Sequence, residues 1–178
     1  MSITLRGNRT RRVALDALLI SLAMILSYVE VLLPLNALIP LPGFKLGLAN
    51  LVVLVAFCRI STADAAVIST ARILLMGLLF GSIVSLYFSV MGGLLSFLMM
   101  LLLARLGKHC SFFGVCVLCA ALHNCGQLIA AATLYGFSVV VSYLPVLLIA
   151  SVIYGGIVGS LLNLIIPKLD AVFGKERL

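Results

Sequence analysis

Six apolar stretches, at residues 13–33, 46–58, 63–80, 83–104, 112–135 and 140–166, take up most of the 178-residue chain. A helix that crosses a bilayer needs about 20 mainly apolar residues, because the hydrocarbon core is about 30 Å thick. Most of the stretches approach or exceed that length; the second is short and follows a Pro-rich approach. All are apolar on every side, without the period-two alternation of a membrane barrel strand. Composition agrees: 64% of the residues are hydrophobic and 10% charged, against about 45–50% and about 25% in soluble domains. So few charges cannot keep this much apolar surface hydrated, which excludes a soluble enzyme, a disordered tail and a secreted disulfide scaffold. The sequence predicts an all-α integral membrane protein, a bundle of six transmembrane helices.

The basic residues orient that bundle. With the N-terminus inside, Arg6, Arg9, Arg11, Arg12, Arg59, Arg105, Lys108, Lys168, Lys175 and Arg177 all fall on the inner side, Lys45 alone falls outside, and Arg72 lies within the third stretch. This is the positive-inside pattern for six spans with both termini cytoplasmic. The net charge of +7 then flanks membrane spans and meets lipid headgroups. No basic run interleaves with aromatics, so no nucleic-acid partner is expected. The first apolar run exceeds a signal-peptide core, no cleavage-type sequence follows it, and it reads as a retained helix. The expected organisation is a basic cytoplasmic N-terminus at residues 1–12, a membrane domain at 13–167 with a Pro-rich outer loop at 34–45, and a cytoplasmic tail at 168–178. Pro34, Pro40 and Pro42 forbid a regular helix in that loop. Its apolar character suits a cap over the outer mouth of the bundle, with a stiff connector as the alternative.

Polar groups inside apolar spans are expensive, so each asks for a reason. Arg72, mid-way along the third stretch, is the sharpest case: an Arg at that depth costs at least about 2.5 kcal/mol. It is either a clamp for a carboxylate or phosphate, whose geometry a guanidinium matches, or a structural partner of Asp16, Glu30 or backbone carbonyls. The fifth stretch carries His123, Asn124 and Gln127. His123 and Gln127 are four residues apart and share a face, whereas Asn124 lies about 100° round the helix. Each taken alone reads best as an interhelical hydrogen bond; together with Arg72 they suggest a polar wall. Given the predicted directions of the spans, these residues, Asn50, Lys45 and Glu30 gather between the midplane and the outer face. The expected site is an outward-facing pocket under a lid, lined by Arg72, His123, Gln127, Asn50, Lys45, Asn124 and Glu30. Its cations outnumber its carboxylate, which suits a small ligand with an acidic head and an apolar body.

Small residues mark close helix packing or a partner interface: Ala17 with Ser21 and Ala23 with Ser27 on the first span, and Ser151, Gly155 and Gly159 on the sixth. The five cysteines lie in or beside apolar segments and read as reduced thiols. Cys116 and Cys119 sit three apart on one predicted helix and read as packing residues, so no metal is expected. The aspartates Asp16, Asp64 and Asp170 are isolated, unlike the clusters that hold magnesium against a diphosphate. No nucleotide-binding motif occurs. The chain is therefore expected to be no enzyme and to carry no cofactor.

The runs PGFKLGLANLVVL (42–54), ARILLMGLLFGS (71–82), GGLLS (92–96) and HNCGQL (123–128) together resemble the Gx transporter family, labelled heptaprenyl diphosphate synthase component I, over about residues 12–167. That family is similar to the substrate-binding S components of energy-coupling factor transporters. The resemblance implies a six-helix subunit in a bacterial cytoplasmic membrane that captures a small molecule from outside. It implies as partners a transmembrane coupling subunit and ATPases. S components often dock that subunit through an Ala-xxx-Ala face on the first helix, whose nearest equivalents here are Ala17-xxx-Ser21 and Ala23-xxx-Ser27. The family label implies an alternative: a non-catalytic membrane accessory to a soluble prenyl synthase. The resemblance also admits a link to quinone-based or flavin-based membrane electron transfer.

Overall fold

The computed structural model describes residues 9–32, 45, 47–106 and 111–173. Residues 1–8, the loop at 34–45 apart from Lys45, Lys108, Cys110 and the tail beyond 173 lie outside the described residues. Among the described residues six helices follow in order: α1 (Arg9–Leu32), α2 (Asn50–Arg59), α3 (Thr62–Phe80), α4 (Ile83–Leu106), α5 (Phe112–Tyr135) and α6 (Ser138–Phe173). No strand occurs among the described residues. Five of these helices are long and apolar enough to cross a membrane, over Arg12–Leu32, Thr62–Phe80, Ile83–Arg105, Phe112–Tyr135 and Val140–Ala171. The protein is a multi-pass helical membrane protein.

The remaining helix, α2, has ten residues and rises about 15 Å, half the hydrocarbon thickness. It starts at Asn50 rather than at 46, because the chain turns first. Gly47 adopts φ +89°, a conformation that favours glycine. The Asn50 N–H donates to the Gly47 carbonyl at 2.8 Å.

Other helix ends follow their caps. The Ser61 hydroxyl accepts from the Asp64 N–H at the start of α3, and Ser111 accepts from the Gly114 N–H at the start of α5. Gly136, at φ +92°, ends α5. The last helix runs past its predicted end at residue 166: α6 continues through Pro167 to Phe173. An ion pair between Arg59 Nη2 and Asp170 Oδ2, 2.8 Å apart, fastens this extra turn to the end of α2. At the same end of the bundle Arg12 joins α1 to α3, donating to Asp64 at 2.7 Å and to Ser61 Oγ at 3.0 Å.

Short as it is, α2 is the innermost element. Val53, Leu54, Ala56 and Phe57 share one buried cluster with Ala65 and Ile68 of α3, Met100 and Leu103 of α4, Cys116 and Cys119 of α5, and Val158 and Leu162 of α6. Helix α5 packs between α4 and α6, and α1 lies against α3 and α2. Outward-facing positions such as Leu18, Ile25, Leu78 and Ile153 remain exposed and apolar, as suits a surface in contact with hydrocarbon.

The small residues divide by face. Ala23 and Ser27 are buried, and Ala23 packs with Ala49 and Val52 next to α2. Ala17 and Ser21 are exposed. Gly155 and Gly159 serve packing within this chain. A Cβ at Gly155 would lie 2.6 Å from the Val117 Cα, and one at Gly159 would lie 2.7 Å from the Phe113 Cα, so α6 touches the backbone of α5.

Candidate functional site

Arg72 sits near the middle of α3, on the face turned away from the exposed Leu74 and Leu78, and is only 7% exposed. Its Nη2 donates to Asn50 Oδ1 at 2.9 Å. Asn50 opens α2 and is held there by the turn at Gly47. A guanidinium has donors only, so it fixes the amide oxygen of Asn50 toward itself and turns the amide nitrogen toward α5. There Asn50 Nδ2 lies 3.3 Å from His123 Nδ1. The Gly92 carbonyl of α4 also stands beside the ring, and the ring's tautomer sets which of these neighbours Nδ1 answers. Helices α2, α3 and α5 are thereby joined through a buried chain of cation, amide and imidazole.

The imidazole fits because glycine flanks it. A Cβ at Gly92 of α4 would lie 2.8 Å from His123 Cε1, and one at Gly47 would lie 3.4 Å from Nε2. Two nitrogens of this chain stay unused: Arg72 Nε and His123 Nε2 are buried without a hydrogen-bond partner. Buried polar groups of this kind are rare in folded proteins.

Lys45 closes the other side. Gln127 grips its backbone twice: the Lys45 N–H donates to Gln127 Oε1 at 3.2 Å, and Gln127 Nε2 donates to the Lys45 carbonyl at 2.7 Å. Lys45 Nζ donates to Ser89 Oγ at 3.0 Å. Burial pushes the Lys45 ammonium below its ordinary pKa, while nearby Glu30 pulls it up and Arg72 pushes it further down. Glu30, 3% exposed at the end of α1, accepts from the Gly47 N–H at 2.6 Å and the Leu48 N–H at 3.2 Å. Its carboxylate thus sits at the turn that leads into α2.

These groups surround a cavity of about 10 Å³, room for about one water. Arg72, His123, Lys45 and Glu30 line it, with Ser27, Gly47, Ser89 and the apolar Ile73 and Met76. A second cavity of about 10 Å³ lies on the other side of Gly47 and Asn50, against Cys116, Cys119 and Tyr154, where the Tyr154 hydroxyl has no partner. The space is far smaller than the open pocket expected from sequence. Of the seven residues expected to line it, Arg72, His123, Lys45 and Glu30 do so. Asn50 bridges Arg72 and His123, and Gln127 spends both ends of its amide on Lys45. Asn124 lies apart: its Nδ2 donates to the Leu147 carbonyl at 3.0 Å and to Ser151 Oγ at 2.8 Å, tying α5 to α6.

Sequence reasoning missed Ser89, Gly92 and the role of Gly47, and placed Ser27 in packing alone. A signal existed for two of them: Ser85 and Ser89 recur four residues apart in an apolar helix, and Ser27 stands three residues before Glu30.

Chemically, the cluster offers two cations against one carboxylate whose two oxygens already accept backbone N–H groups. It can hold an anion through Arg72 and Lys45, with His123 beside them. Among the described residues no three His, Cys, Asp or Glu side chains come together as a metal would require. Arg12 and Arg59 hold Asp64 and Asp170 in ion pairs.

No curated protein and no solved structure matches the chain. The family model for heptaprenyl diphosphate synthase component I matches residues 19–165, a span that takes in every residue of the cluster, and the chain belongs to that family.

Proposed function

We propose that this chain is a non-catalytic, substrate-binding membrane subunit of a transporter that captures a small, anionic, amphipathic molecule. Arg72 is the observation that carries the reading. A guanidinium buried at mid-helix in an apolar bundle meets one neutral amide and leaves its Nε unpartnered, and among the described residues it forms no ion pair. A purely structural Arg at that depth would be expected to find a carboxylate, since an isolated charge there is costly. An anionic head group supplies the missing partner. Lys45 and His123 stand beside it, and Asn50 orients both Arg72 and His123. Gln127 and Glu30 hold the segment that covers the site.

In this reading the protein lies in a bacterial cytoplasmic membrane with both termini inside. Helix α2 belongs to the second of six crossings, and the ligand is taken from the outer side. Nothing in the sequence supplies an ATP site, so transport requires a coupling partner and ATPases. The exposed Ala17 and Ser21 face of α1 is available to such a subunit.

One observation favours a second reading, a membrane accessory to polyprenyl diphosphate or quinone synthesis: the family label names a component of a heptaprenyl diphosphate synthase. A component implies another subunit, and a prenyl diphosphate also joins an anionic head to an apolar chain.

Native mass spectrometry of the gently solubilised protein tests both. The expected result is a bound small acid that Arg72→Gln loses while the helical content persists. A bound molecule retained unchanged in Arg72→Gln would refute the assignment of the site. Copurifying ATPases support the transporter reading, and a copurifying soluble prenyl synthase supports the second.

A further inference from the structure

The cationic cavity has room for about one water, so the bulk of an amphipathic ligand must lie elsewhere. The adjoining space is a groove of about 180 Å³ between α3 and α4, comparable to cavities that hold a small apolar molecule. Ala66, Thr70 and Leu74 form one side, and Val90, Leu94 and Phe97 the other. From Ala66 to Leu74 the groove follows α3 for about 12 Å. Ile73 is the wall that the two spaces share: it lines both the cationic cavity and the groove. Its tip is seated against Gly93 of α4, where a Cβ would lie 2.6 Å from the Ile73 Cδ1. Arg72 precedes Ile73 in sequence, so one turn of α3 presents a guanidinium to the polar side and a branched aliphatic chain to the apolar side.

We infer that the α3–α4 groove binds the apolar chain of the same ligand whose acidic head meets Arg72, and that the ligand reaches the site sideways from the membrane, past Ile73. This rests on the anion-binding reading of Arg72 and adds to it the ligand's class, a single-chain amphiphile with a phosphate-like or carboxylate head. The occupant is fixed by continuity. A bilayer acyl chain fits an apolar groove anywhere on the protein, but only a chain attached to an anion gains from a groove one side chain away from the buried Arg72 and the half-buried Lys45.

The test uses the full chain in phosphatidylcholine nanodiscs and dodecyl phosphate carrying a diazirine at its terminal carbon. Photolabelling is expected on the peptides that contain residues 66–74 and 90–97. Excess unlabelled dodecyl phosphate should suppress it on the order of tenfold, as should Arg72→Gln, whereas dodecanol, which lacks the anion, should not. Groove labelling that dodecanol suppresses equally, or that ignores Arg72→Gln, means the groove holds ordinary lipid chains and overturns the inference. Labelling elsewhere that still depends on Arg72 overturns the groove and leaves the anion site standing. Labelling that depends on Arg72 nowhere sinks both. Val90→Trp fills the groove without touching the cationic cluster. It should weaken dodecyl phosphate on the order of tenfold and leave inorganic phosphate unchanged; an equal loss for the two probes would contradict the assignment.

Discussion

Asn50 decides how the buried charges are arranged, because its amide answers the guanidinium on one side and the imidazole on the other. Two substitutions separate its roles. Asn50→Ala leaves a buried guanidinium without its acceptor and should cost about 1–3 kcal/mol, read as a shift in the unfolding midpoint in a denaturing-detergent titration. Asn50→Asp gives Arg72 a carboxylate. It should keep the fold and weaken inorganic diphosphate binding about tenfold or more, since the added charge cancels the cluster's excess; unchanged binding would mean that the excess charge plays no part. Gly92→Ala pushes a methyl group against His123 and should destabilise by about 1–3 kcal/mol, measured in the same titration. At this scale the sequence was informative about Arg72 and His123, since a charged or polar group in an apolar run stands out by cost alone. It was uninformative about Asn124, one residue from His123. Adjacent helical residues point about 100° apart, and which neighbour each faces depends on contacts made 23 and 27 residues away.

Helix α6 shows what an element borrows from its surroundings. Its Gly155 and Gly159 meet the backbone of α5, which cannot yield, whereas Gly156 meets the edge of the Phe113 ring. Gly155→Ala should therefore cost more than Gly156→Ala, by about 1–3 kcal/mol; equal unfolding midpoints would refute backbone contact as the cause. Beyond Pro167 the helix depends on the Arg59–Asp170 pair, whose side chains are about a fifth exposed. Asp170→Asn should speed amide exchange at residues 168–171 and destabilise by about 1–3 kcal/mol, since it weakens a largely buried charge-assisted pair. Five long helices were legible as apolar runs, and α5 was read to the residue. The ends of α2 and α6 were not. A glycine turn inside an apolar run leaves no mark on hydropathy, and a proline stops a helix in sequence statistics even where a distant carboxylate holds the next turn in place.

For the molecule as a whole, the charge asymmetry makes a directional claim. In a variant whose native cysteines have been replaced, Ser138→Cys should react with a membrane-impermeant maleimide in intact cells, and Ser61→Cys only after permeabilisation. Reaction of both from outside would overturn the proposed orientation. Lysine and arginine carry that expectation residue by residue. The closure of the site is not legible in sequence, since Lys45 and Gln127 stand 82 positions apart and no local pattern sets their register. That closure has a kinetic meaning. Gln127 pairs with the Lys45 peptide as a neighbouring strand would, Glu30 grips the next turn, and Ser89 takes the ammonium. One short strap is riveted to three helices at once, and loosening a single rivet frees nothing. Exchange across the outer face must wait for all of them to part together, so on that side the protein would work as a latch with a long dwell time rather than as an open cup, which leaves the seam between α3 and α4 as the faster path.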